Sequence, residues 1–143
     1  MFHKILCATD GSKAADHAAM TAIELARETG GEVTFLNVEV IPGAAVPRPP
    51  YWDAMELKPE ETKSKAGLNE AARLAREQKF DRFHCESAHA NRVADAILAF
   101  ADDRHFDHIV VGTDVRGGFE RVATSSVASV VFGQARCPVT IVH

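Results

Sequence analysis

Apolar and polar positions follow two rhythms along this chain, and their alternation sets the element order. His3–Thr9 (HKILCAT) carries Ile5, Leu6, Cys7 and Ala8 in succession, the pattern of a central strand covered on both faces. Asp10-Gly11-Ser12 breaks it. Ala15, Ala18, Ala19, Ala22, Ile23 and Ala26 then recur at helical spacing and predict a helix over 13–29. Gly30-Gly31 stops that helix, as a C-cap glycine does. Residues 32–41 (EVTFLNVEVI) read as a second strand. Ala66, Leu68, Ala71, Ala72 and Ala75 form one side of a helix over 60–78. Phe83–Ser87 alternates weakly and gives a third strand. Val93, Ala96, Ile97, Phe100 and Ala101 mark a third helix, which starts at Asn91 or a neighbour and ends near Arg104-His105, where a cation suits the helix dipole. Ile109-Val110-Val111 is a buried strand cut by Gly112. Val127, Val130 and Val131, after Thr124-Ser125-Ser126, predict a fourth helix with a hydroxyl residue at or near its N-cap. Cys137-Pro138 leads into a last strand, Val139–Val142.

Strands alternating with helices of this length imply a parallel sheet with right-handed crossovers and helices on both faces. The least regular segment is 42–59 (PGAAVPRPPYWDAMELKP), which holds every proline but Pro138 and the chain's one Trp and one Tyr. Pro47, Pro49 and Pro50 exclude a helix through them. The segment reads as a long surface loop with a short helical turn around Asp53–Leu57, either functional or a plain connector.

A chain of 143 residues with 46% hydrophobic content suits one domain spanning 1–143, large enough to bury roughly two thirds of its unfolded surface. A net charge of −4 without a dense Lys/Arg run disfavours nucleic acid as a partner. No stretch approaches a membrane span, and the N-terminus lacks an apolar signal region, so a soluble cytoplasmic protein is expected, with no membrane partner. Three cysteines (Cys7, Cys85, Cys137) without CxxC spacing argue against a disulfide framework or a cysteine zinc site.

Ligands on parallel sheets sit beyond the carboxyl ends of strands, where strand order reverses. Asp10 and Gly112 end the first and fourth strands and share that crevice if those strands are neighbours. After Gly112, a loop with Arg116, Gly117, Gly118, Glu120 and Arg121 runs to a helix N-terminus. Outward N–H groups and the helix dipole make such a place suited to an anion. Competing chemistries find no support: GxxxxGK[ST] and GxGxxG are absent, and ATDGSKAAD after the first strand has one glycine where an SGGxDS-type loop needs more. Seven histidines lack metal-ligand spacing and read as surface residues, so no metal site is expected. Cys7 reads as a core residue, and Cys137 is the best candidate for a reactive thiol, with packing as its other reading. No nucleophile–base–orienter trio emerges, so no catalytic residue is assigned. Ser125 and Ser126 read as N-caps. As phosphoserines they would face Arg116 or Arg121.

ILCATDGS at the first strand, VADAIL in the third helix, FDHIVVGT at the fourth strand, RGGFERV in the loop and ARCPVTIVH at the end together resemble the universal stress protein family across nearly the whole length. The resemblance implies an open five-stranded parallel sheet in the order 3-2-1-4-5, a Rossmann-like fold of the adenine nucleotide alpha hydrolase type. It also implies a homodimer paired through the last edge strand, here Val139–Val142. The family's ATP binders carry Gly-x-x-Gly, nine residues, then Gly-Ser or Gly-Thr. In this chain Gly112 matches the first glycine, Val115 replaces the second, and Ser125-Ser126 stand in place of Gly-Ser. Val115 resists positive φ, and Gly117-Gly118 keeps the loop flexible one register later. Asn91 stands where the family has glycine before the third helix, a position that left-handed Asn can fill.

The resemblance therefore places ATP or another adenine nucleotide between Asp10, Val38, Gly112 and the 116–127 loop, with Arg116, Gly117, Ser125, Ser126 and Val127 as binding residues and Mg²⁺ or Mn²⁺ bridging phosphates. In members that bind no nucleotide the same cleft stays empty. Asp10 has an Asx-type turn as its other role, and Val38 a place in the core. Three functions remain in view: a homodimeric stress-response binding protein, a slow ATPase with Asp114 or Glu120 as the nearest acids, and an interaction module in which Tyr51 and Trp52 on the 42–59 loop dock a protein partner.

Overall fold

The computed structural model describes residues 2–41, 49–113 and 126–143. Six strands, β1 (Lys4–Ala8), β2 (Glu32–Val40), β3 (Trp52–Leu57), β4 (Phe83–Ala90), β5 (His108–Gly112) and β6 (Val139–Val142), form one sheet in the order β3-β4-β2-β1-β5-β6. Among the described residues four α-helices connect them: α1 (Lys13–Thr29), α2 (Ala66–Glu77), α3 (Val93–Asp103) and α4 (Ser126–Gln134). The five strands β4-β2-β1-β5-β6 are all parallel and follow the expected 3-2-1-4-5 order.

The sheet is thus mixed, with one strand more than expected. Trp52–Leu57 pairs antiparallel with β4 where a loop with a helical turn is read from the sequence. Its alternation is poor because an edge strand has one bonded side and no need of a continuous apolar run. Pro49 and Pro50 end just before it, as prolines at a sheet edge can. A register shift between Trp52 and Met55, with Asp53 at φ 52°, marks a bulge. The expected helix over 60–78 also divides: Pro59–Ser64 is a 3-10 segment, and α2 begins at Ala66. Pro59 occupies the first turn, and buried Thr62 donates its hydroxyl to the Pro59 carbonyl at 2.8 Å. β4 runs on to Ala90. His105 lies past the end of α3, at φ 59°, so it turns the chain rather than closing the last helical turn. Asn91 does not adopt a positive φ.

Two cores follow from the period-2 alternation of the strands. On one face Ile5, Cys7, Val33, Phe35, Cys85 and Val110 meet the alanine stripe of α1 and Leu68, Ala71, Ala72 and Ala75 of α2. On the other, Leu6, Leu36, Ala88, Ile109 and Val111 meet Ile97, Phe100 and Ala101 of α3 and Ala128 and Val131 of α4. The alanines let α1 lie close to the sheet. Ser12 caps its start, its Oγ accepting from Ala15 N at 3.1 Å, and left-handed Gly30 (φ 74°) ends it.

His108, read from sequence as a surface residue, is buried on β5. Its Nε2 lies 2.7 Å from the Thr140 hydroxyl on β6, and the Phe2 ring packs edge-on at 4.4 Å. Burial holds its pKa below the ordinary 6.5, against an opposing pull from Asp107. The native state therefore disfavours the proton that the unfolded chain accepts, and stability falls as pH drops below about 6.5. In urea unfolding, the stability of the native protein relative to His108→Gln should shrink as pH is lowered from 7 to 5. A pH-independent difference would remove His108 from the acid response.

Candidate functional site

The β1–α1 turn is fixed from three sides. Thr9 N donates to the Leu36 carbonyl at 2.9 Å, tying the end of β1 to β2. Asp10 Oδ1 accepts from Ser12 N at 2.9 Å, closing an Asx turn, while Gly11 takes φ 83°. Gly67 of α2 presses against the turn's back: a β-carbon there would lie 2.9 Å from Gly11 N and 3.0 Å from the Thr9 carbonyl. On the other side, Gly112 ends β5 against the first turn of α1. A β-carbon on Gly112 would stand 2.6 Å from the Ala14 carbonyl carbon and closer still to its oxygen. Thr113 N then donates to the Val142 carbonyl at 2.8 Å, holding the chain beside β6.

These contacts leave a cleft of about 380 Å³ beyond the carboxyl ends of β1, β2 and β5. It opens at the switch point, since β1 connects through α1 to β2 on one side while β5 pairs with it on the other. Ala8, Leu36, Val38, Val93, Ile97 and Val111 give it an apolar inner wall, and Thr9, Asp10, Ser12 and Thr113 a polar rim. Three helices begin at its border: α1 through Ser12, Ala14 and Ala15, α3 through Val93, and α4 through Val127 and Ala128. The start of α3 has no side-chain cap. Helix N-termini carry partial positive charge and unpaired N–H groups, so this cleft joins a greasy slot to an anion-favouring edge.

Four sequence-nominated residues therefore meet in one cleft: Asp10, Val38, Gly112 and Val127. Ser126 is the first residue of α4, with its side chain outside the described atoms. Arg116, Gly117 and Ser125 lie outside the described residues, as do Val115 and the phosphoserine candidate at Ser125. Sequence reasoning missed Thr9, Ser12, Leu36, Val93 and Ile97. Thr9 and Ser12 flank Asp10 and carried a signal in the TDGS run. Leu36, Val93 and Ile97 read only as core.

Other nominated chemistry recedes. Burial, then Asp102 and Asp107, raise the Cys137 thiol, so it stays protonated and is no reactive thiolate. Burial alone pushes Cys7 up to about 12, and Cys85 rises to about 11. Among the described residues no group of three or more His, Cys, Asp or Glu is placed to hold a metal ion. Tyr51 and Trp52 are half-buried in the chain's own packing. The Tyr51 hydroxyl donates to Asp103 at 2.7 Å with its ring edge-on to Phe100, and Trp52 stacks on His89.

The whole chain, residues 1–143, matches the universal stress protein family. It belongs to that family. Universal stress protein MJ0531 of Methanocaldococcus jannaschii is 34% identical over 144 residues, covering 99% of this chain and 82% of the relative. Among solved structures, a universal stress protein in complex with cAMP superposes with a TM-score of 0.75 at 20% identity, covering 99% of this chain and 97% of the other. The universal stress protein from Archaeoglobus fulgidus in complex with dAMP superposes at 0.66 with 25% identity, covering 100% and 98%. The α/β architecture of this stress protein, a central sheet flanked by helices, is that of the family's solved structures.

Gly112 thus carries a packing demand of its own in this family member. Gly112→Ala should lower unfolding stability by roughly 1–3 kcal/mol, as overpacking does, with no ligand present. Chemical denaturation of the ligand-free variant checks this, and an unchanged midpoint would mean that α1 yields to the methyl group.

Proposed function

We propose that this universal stress protein binds an adenine nucleotide in the cleft bordered by Asp10, Val38, Gly112 and Val127, and that nucleotide occupancy regulates its stress-response role. The observation that carries this reading is the cleft itself: about 380 Å³ with an apolar wall that includes Val38 and Ile97, bordered by the starts of three helices. The dAMP complex of the Archaeoglobus relative supports it. Asp10, on the polar rim, suits ribose hydroxyls. The phosphates, with a bridging Mg²⁺ or Mn²⁺, would lie toward Arg116, Gly117, Ser125 and Ser126. We read the role as binding; Asp114 and Glu120, the acids nominated for turnover, lie outside the described residues. Asp10 is the one carboxylate among the described residues lining the cleft, and the turn already uses its Oδ1.

We further propose a homodimer through β6. That strand is four residues long, half-buried along its length, and bonded to β5 on one side only, which leaves an edge suited to a partner strand. The three free cysteines suit a reducing cytoplasm.

Calorimetric titration with ATP, ADP and AMP in the presence of Mg²⁺ tests the nucleotide. Micromolar binding by at least one of the three is expected. Val38→Trp, which fills the slot, should weaken it at least tenfold with little change in thermal stability. Absence of heat for all three up to millimolar concentration would overturn the reading.

A further inference from the structure

The extra edge strand is held to the sheet by a repeated arrangement. β4 lies between β2 and β3 and carries two histidines, one near each end of the β3 pairing. His89 Nε2 lies 3.1 Å from Glu39 of β2, and its Nδ1 lies 4.0 Å from Asp53 of β3. His84 repeats the pattern: Nε2 is 3.7 Å from Glu32 of β2 and Nδ1 is 3.5 Å from Glu56 of β3. Each imidazole is thus flanked by one carboxylate from each neighbouring strand.

A neutral imidazole has one N–H and can serve only one of its two carboxylates. The imidazolium has two N–H groups and can serve both. The side chain that makes this change between pH 5 and 8 is histidine. His89 Nδ1, on the Asp53 side, is buried with no hydrogen-bond partner, which is the state expected of a nitrogen whose carboxylate is engaged only on protonation. Other charges face this region. Lys65, leading into α2, pairs with Glu39 and competes for one arm of the His89 pair. Glu86 of β4 is taken by Arg104 at the end of α3 at 3.3 Å. Lys58 follows directly on β3. Arg82, before β4, is spent on the Gly31 carbonyl at 2.9 Å. Against these, the carboxylates left to the two histidines on the β3 side are Asp53 and Glu56, and neither has another cation within salt-bridge distance among the described residues.

We propose that His84 and His89 form an acid-operated clasp: protonating both ties β3 through β4 to β2, and deprotonating them loosens the edge strand. The clasp acts in the opposite sense to His108, which weakens the whole fold in acid, so the two separate cleanly. Loosening β3 uncovers the outer edge of β4 for another strand and frees Tyr51 from Asp103, so acid would close this edge and neutral pH would open it.

Amide hydrogen exchange on the full chain tests the clasp, with intrinsic rates corrected for pH. Protection of Trp52–Leu57 relative to β1 amides should rise about fivefold from pH 7.5 to pH 5.5, the combined effect of the two exposed ion pairs that cross to β3, His84–Glu56 and His89–Asp53. The rise should vanish in the double variant His84→Gln/His89→Gln. Trp52, the chain's single tryptophan, stacks on His89 with ring centroids 6.3 Å apart and gives a second readout. Its fluorescence should fall as His89 takes up a proton, and this step should be absent in His89→Gln. Relative protection of β3 that is flat with pH, or that rises equally in the double variant, overturns the proposal.

Discussion

The site depends on backbone approaching backbone where no side chain fits. Gly112 lets the end of β5 meet the first turn of α1, and Gly67 lets α2 meet the β1–α1 turn. Between these contacts the Thr9–Ser12 turn is pinned further by Thr9 to β2 and by Asp10 to its own backbone. A β-carbon at either glycine would push a helix away from the sheet and widen the cleft at the place where its polar rim is set. Gly112 therefore has a physical reason to be glycine that precedes any ligand. The alanine stripe of α1 extends the same logic along the helix, because small side chains keep α1 near the sheet and its N-terminus at the cleft border.

Much of this was legible in the sequence, for reasons that can be assigned residue by residue. Lys13–Thr29 is readable because the alanine period, the Ser12 cap and the Gly30 stop agree on the same boundaries. The buried strands β1 and β5 announce themselves as continuous apolar runs. Asp10, Val38, Gly112 and Val127 converge as expected, because strand ends on a parallel sheet converge by topology. β3 was not legible. Its Trp-Asp-Ala-Met-Glu-Leu run has one half-covered face, a bulge and a run of prolines before it, and its strand character comes from β4 rather than from its own residues. His108 was misread for a related reason. A polar residue at the start of an apolar run looks like a boundary, and only the pairing of β5 with β6 brings Thr140 and Phe2 around it. The split of 59–77 into a 3-10 segment and α2 turns on Pro59 and on Thr62, whose hydroxyl bonds back to the Pro59 carbonyl, a competition that apolar spacing does not register.

The two ends of the sheet divide the electrostatic work. At the end opposite the cleft, the C-termini of α1, α2 and α3 are each met by a cation. Arg82 donates to the Gly31 and Ala26 carbonyls at the end of α1, at 2.9 and 3.4 Å. Arg27, on the last turn of α1, donates to the Gln78 carbonyl at the end of α2. Lys4 donates to the Arg104 carbonyl at the end of α3 while lying over the Phe106 ring. These contacts satisfy carbonyls that the helices cannot pair internally and offset the negative ends of three helix dipoles.

At the cleft the treatment is reversed. The start of α3 has no side-chain cap, and the only charged residue among the described cleft lining is the carboxylate of Asp10. Because a dipole's influence fades within about one turn, the order in which the helix starts meet the cleft matters more than their number. Val93 and Ile97 bring α3 against the apolar wall, and Val127 and Ala128 bring α4 to the Gly112 side. The apolar wall and the helix starts that border this cleft thus come from separate elements that no single motif joins.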